Sequence, residues 1–121
     1  MKRIVIEWPQ IPPPEVRGNN RRYHWRAIYK KGLAVKNSIC FHTRDLDVSF
    51  TQAKITFHFY NSRKVDLDNL AIGMKPVIDQ LNAQGFFDDD DPTHVIYGNH
   101  TFSKCKRGEE KTVIEIEEVM E

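Results

Sequence analysis

Long apolar runs are missing from this 121-residue chain. No stretch approaches the roughly 20 consecutive apolar residues that a bilayer-crossing helix needs. The opening MKRIVIEW meets Pro9 at once, which leaves no room for the apolar segment of a signal peptide. Cysteine is scarce. Cys40 and Cys105 are far apart and show no pairing pattern, so they are expected as free thiols in a reducing cytoplasm. The five histidines lack zinc-ligand spacing, and Cys40-Phe41-His42 alone does not make a site. Internal repeats and a domain linker are absent as well. These absences leave one domain over residues 1–121, long enough to bury a core without disulfides or a structural metal.

A large net charge is also lacking, since the formal total is +1. Its distribution is uneven. Residues 1–64 hold 13 of the 18 Lys and Arg and 4 of the 17 Asp and Glu, a balance of +9; residues 65–121 hold the remainder, a balance of −8. This split points to a basic surface for a polyanion and a separate acidic centre, against the simpler reading of solvated faces throughout.

Hydrophobic periodicity assigns the elements. Residues 3–8 alternate around Ile4 and Ile6 as a short strand stopped by Pro9, and residues 9–18 are extended or looped. A helix is expected over 21–41, with Trp25, Ile28, Tyr29, Ala34, Val35 and Ile39 as its core stripe. Residues 53–60 alternate cleanly as a strand. A second helical stretch over 68–84 buries Leu70, Met74, Val77 and Leu81 and stops at Gly85; Pro76 either kinks it or makes it begin anew near Gly73. Residues 94–103 and 111–119 are expected as an antiparallel hairpin turning at 106–109. The expected architecture is α+β, a mixed β-sheet with two main helices in the order β-α-β-α-β-β.

Aspartates carry the candidate chemistry. In an extended segment Asp66 and Asp68 would project to one side while Leu67 turns to the core. Two carboxylates held that close call for a cation, and magnesium needs only a few because it keeps several waters. The plainer alternative is that Asp68 caps the helix that follows. The run of aspartates 88–91 is either a solvated loop or, if the next strand returns beside the central one, a source of a further ligand. Lys75 stands seven residues after Asp68, about two turns along an unbroken helix, where it could orient a scissile phosphate. Its alternative role is an exposed i,i+4 partner of Asp79. Together these groups point to metal-assisted phosphodiester hydrolysis.

Three motifs in order carry a family resemblance. They are Asp66-Leu67-Asp68-Asn69-Leu70, then Lys75-Pro76-Val77-Ile78-Asp79-Gln80-Leu81, then Gly85-Phe86-Phe87 with Asp89-Asp90 leading into Val95. Upstream stand Pro12-Pro13-Pro14, Asn19-Asn20-Arg21 and His24-Trp25-Arg26. Over essentially the whole chain this pattern resembles the RusA-type endodeoxyribonucleases, the Holliday-junction resolvases of bacteria and their phages. The resemblance implies a magnesium-dependent homodimer, with Mn2+ as a substitute ion, that makes paired cuts in a four-way DNA junction. It implies catalytic roles for Asp66, Asp68, Lys75 and Asp90, and metal ligation by Asp66, Asp68 and Asp90, with Asp89 or Asp91 as substitutes. The spacing from the D-L-D-N motif to the lysine is about three residues longer than the family pattern, and Pro92 follows extra aspartates. With DNA as the partner, Arg17, Asn20, Arg21, Arg22, Arg26, Lys30, Lys31, Arg63 and Lys64 become candidate phosphate contacts. Tyr23 and Trp25 are expected in the core in preference to stacking on bases. The alternative is a non-catalytic nucleic-acid-binding protein of the same fold; a nucleotide phosphohydrolase fits the basic first half less well.

Overall fold

The computed structural model describes residues 2–88 and 94–119. Its elements run β1 (Arg3–Trp8), a 3-10 turn (Pro14–Val16), α1 (Trp25–Thr43), β2 (Ala53–Asn61), α2 (Leu67–Ile72), α3 (Lys75–Ala83), β3 (Val95–Tyr97), β4 (Thr101–Lys104) and β5 (Lys111–Glu118). The fold is α+β, with a mixed sheet ordered β1-β5-β2 and then β3 and β4 end to end along the far edge of β2. β5 is antiparallel to both β1 and β2, whereas β3 and β4 run parallel to β2. Among the described residues no helix is long and apolar enough to cross a membrane.

Alternation explains which face is covered. Ala53, Ile55, Phe57 and Phe59 of β2 join Ile6, Trp8, Ile114 and Ile116 on one side of the sheet, all buried. Val35 and Ile39 of α1, Leu70 of α2, and Val77, Ile78 and Leu81 of α3 close over them. The buried indole N–H of Trp8 donates to Ser38 Oγ at 2.9 Å, which removes the cost of an unpaired donor. The opposite face is wet. It carries Arg3–Glu115, Lys54–Glu117 and Lys111–Glu7 ion pairs, as expected for strands packed on one side only.

Several expectations need correction. α1 begins at Trp25, where His24 Nδ1 accepts the Arg26 N–H, instead of at residue 21. Only its C-terminal half lies on the core, so Trp25 and Tyr29 are 65% and 64% exposed and Ala34 is exposed as well. Of the two outcomes expected at Pro76, the fresh start holds: the stretch over 68–84 is two helices that break at Gly73 and Met74, with Pro76 in the first turn of α3 where its missing N–H costs nothing. α3 ends as expected. Gly85 adopts φ +88°, its N–H bonds to Asn82 O, and Phe86 N–H bonds to Leu81 O, the paired closure of a Schellman motif. The hairpin over 94–103 and 111–119 does not form, because β2 lies between β4 and β5. The expected strand over 94–103 is itself interrupted at 98–100.

That interruption leaves the edge of β2 short of an acceptor. His100 fills the gap: its Nδ1 accepts the Phe57 N–H at 3.0 Å and its ring stacks on the Phe57 ring at 4.7 Å. Burial, and then the neighbouring His58, pushes the His100 pKa below the ordinary 6.5. The bond needs a neutral ring. Its contribution is therefore complete above about pH 6.5 and is lost as pH falls through the lowered folded-state pKa. Chemical denaturation across pH 7.5 to 5 should show this acid-side loss in the parent protein and less of it in His100→Phe. At pH 7.5 that variant, with Phe57 N–H unpaired, should be less stable by about 1–3 kcal/mol.

Candidate functional site

Topology collects the candidate residues. β1 and β2 both run antiparallel to β5, so they run parallel to each other and release their following loops at the same end of the sheet. The loop after β1 carries Arg17, Asn20, Arg21 and Arg22, and the loop after β2 carries Arg63 and Lys64 before reaching Asp66. β4 ends and β5 begins there too, which brings in the turn that holds Lys106, Arg107 and Gly108.

The two loops are joined by direct contacts. Gly18 N–H donates to the Asn69 carbonyl of α2 at 3.2 Å. A Cβ on Gly18 would stand 2.6 Å from Asn69 Oδ1 and 2.9 Å from Ile72 Cδ1, so glycine allows this approach. Asn20 Nδ2 donates to Glu15 O at 3.0 Å, and Arg17 Nε donates to Pro12 O at 2.7 Å. Two basic grooves result. One holds Arg17, Arg21 and Arg22 against Val65 and Asn69; the other holds Arg17, Arg63 and Lys64 around Val65. Arg17 belongs to both, and burial depresses its pKa, with Tyr23 and Glu15 opposing that shift. It forms no ion pair among the described residues, so a half-buried guanidinium borders both grooves, with Glu15 near it and Glu110 lining the second.

Asp66 and Asp68 flank the same point. Asp66 is the N-cap of α2, and its Oδ1 accepts the Asp68 N–H at 3.0 Å. The capping residue is therefore Asp66 and not Asp68. The D-x-D segment is also not extended, because helix φ/ψ begins at Leu67; Asp68 lies in the first turn, where the helix dipole favours its charge. Both side chains are exposed and neither has a cation partner among the described residues. This donor set suits Mg2+, which is commonly held by one or two carboxylates together with substrate phosphate oxygens and waters.

The remaining candidates that the structure describes stand apart from this group. Asp90, with Asp89 and Asp91, lies outside the described residues. Asp88 follows Phe87, which bridges to Phe50 ahead of β2, so it stands at the opposite end of that strand from Asp66. β2 has nine residues, about 30 Å at roughly 3.3 Å per residue. The strand after the aspartate run does lie beside β2, but parallel to it, so it starts at the end far from Asp66. Among the described residues no three His, Cys, Asp or Glu side chains converge as a metal site. Lys75 begins α3 beyond the helix break, so the two-turn projection from Asp68 does not apply. Its Nζ pairs with Asp79 Oδ1 at 2.7 Å, the i,i+4 alternative. Arg26, Lys30 and Lys31 are exposed on α1, with the Arg26 guanidinium 5.4 Å from the Trp25 ring centroid.

No protein-family model and no curated protein matches the chain. The site therefore rests on geometry. Sequence reasoning missed Lys106 and Arg107, whose turn reaches this end because β4 runs parallel to β2 and ends beside Asn61. It also placed Tyr29 in the core although the ring is exposed. The central place of Arg17 gives a direct test by salt titration of DNA binding. Arg17→Ala should weaken binding to all DNA sequences alike and reduce the slope of log K against log salt by about one. An unchanged slope would remove Arg17 from the interface.

Proposed function

We propose that this protein is a magnesium-dependent, structure-selective DNA endonuclease of the RusA type, resolving Holliday junctions by paired phosphodiester cleavage. The observation that supports it is the meeting, at one end of the sheet, of two exposed carboxylates and a basic surface centred on Arg17. In this reading Arg17, Arg21, Arg22, Arg63 and Lys64 hold the phosphates of a strand passing the start of α2. Asp66 and Asp68 hold the ion, Mg2+ or Mn2+. When bound, that ion supplies Lewis acidity towards a phosphoryl oxygen and a more acidic water. Asp66 keeps its cap bond through one oxygen and has the other for the metal. Lys75, which lines a neighbouring cleft with Arg17, is the residue to which the family resemblance gives the role of steadying charge on the phosphate. A four-way junction presents two symmetric strands, so paired cutting calls for two such sites, which a C2 homodimer provides.

A second reading, non-catalytic DNA binding by the same surface, draws support from the cap bond of Asp66 and the Lys75–Asp79 pair, which give both residues structural work. Paired substitutions at Asp66 separate the two. Asparagine caps helices about as well as aspartate, whereas alanine costs about 0.5–2 kcal/mol. Asp66→Asn should therefore keep the parent stability and junction affinity while losing magnesium-dependent cleavage of a synthetic four-way junction. Asp66→Ala should lose both cleavage and stability. Binding without cleavage in the parent protein, with either Mg2+ or Mn2+, establishes the second reading instead.

A further inference from the structure

A separate cleft of about 370 Å³ lies between α1 and the elbow where α2 meets α3; Arg17 lines it and neither Asp66 nor Asp68 does. That volume is within the range of roughly 300–1,000 Å³ typical of small-ligand pockets. Its lining combines features that usually occur apart. Arg17 and Lys36 supply cations with no carboxylate partner among the described residues, and Asp79 is already engaged by Lys75. Tyr29 offers an exposed ring that stacks on no other aromatic among the described residues. Gly32, one turn along α1, leaves the wall between them bare. A Cβ there would meet nothing within 4 Å, so packing inside the chain does not ask for glycine, which destabilises a helix interior.

We propose that this cleft binds a single unpaired nucleotide of the DNA substrate, with its base against Tyr29 and its phosphate towards Arg17 and Lys36. The inference rests on the nuclease reading for the identity of the polymer. A base held inside a duplex stack cannot present its face to Tyr29, so the cleft selects nucleotides already freed from pairing, as at a branch point or a single-stranded end. Arg17 lines this cleft and both basic grooves, so a strand crossing Asp66 and Asp68 continues into it without leaving positive surface. α3 adds to the attraction for phosphate, because its first turn borders the cleft and no side chain caps it.

The test compares two DNAs that share one duplex stem, one blunt and one with a short single-stranded extension, by fluorescence anisotropy in EDTA so that nothing is cut. The parent should bind the extended DNA about ten-fold more tightly, the scale of one base stacked on an aromatic side chain. Tyr29→Ala and Lys36→Ala should each bring the extended DNA to the affinity of the blunt one and leave the blunt affinity unchanged, while Tyr29→Phe keeps the preference. Equal binding of both DNAs by the parent, or a preference that survives in either alanine variant, overturns the cleft assignment alone. No binding to either DNA overturns the nuclease reading and this inference with it.

Discussion

The hydrogen bond from Gly18 N–H to the Asn69 carbonyl, 3.2 Å long, ties the arginine-bearing loop to the helix that carries the carboxylates. It can form because β1 and β2, one on each side of β5, end at the same end of the sheet. The bond also explains why a glycine stands at position 18, where a methyl group would press on Asn69 and Ile72. Because the contact is to backbone on both sides, it sets the spacing between Arg17 and Asp66 independently of side-chain rotamers.

Electrostatics at this point are deliberately unbalanced. Arg17, Arg21, Arg22, Arg63 and Lys64 stand at the same end of the sheet as the two carboxylates, and none of these cations forms an ion pair among the described residues. Elsewhere the chain does pair its charges, as across the wet face of the sheet, where Arg3 and then His58 draw the Glu115 pKa below the usual carboxylate value. Uncompensated positive charge next to uncompensated negative charge suits a substrate that brings phosphates and a divalent ion together. Asp66 serves the fold and the proposed chemistry at once, since a cap bond occupies only one of its oxygens.

Much of the fold was legible in the sequence because local rules dominated it. β1 and β2 follow two-residue alternation bounded by prolines and polar residues, and Gly85 stops α3 through a positive φ that few other residues adopt. What was not legible depended on pairing at long range. Residues 94–103 and 111–119 carry the pattern of a hairpin, but β2 accepts one on each edge, and no local signal distinguishes those outcomes. Trp25 and Tyr29 continue the periodicity of Val35 and Ile39 even though α1 outruns the core, so burial stopped where the pattern did not. At the candidate site, type and spacing singled out Asp66 and Asp68, and the arginines were added with DNA as the implied partner. Their approach to one another followed from strand order, and the helix break at Gly73 and Met74 removed the simple projection that linked Lys75 to Asp68.

The proposed nuclease activity requires Asp66 and Asp68 to hold a divalent ion beside the basic surface. Manganese titration followed by NMR of backbone amides tests it without reference to any nucleic acid. Low Mn2+ should broaden the signals of residues 65–69 first, with Asp66→Asn abolishing that selectivity while leaving the rest of the spectrum unchanged. Broadening that begins elsewhere, or that is the same in the parent and in Asp66→Asn, would contradict the account.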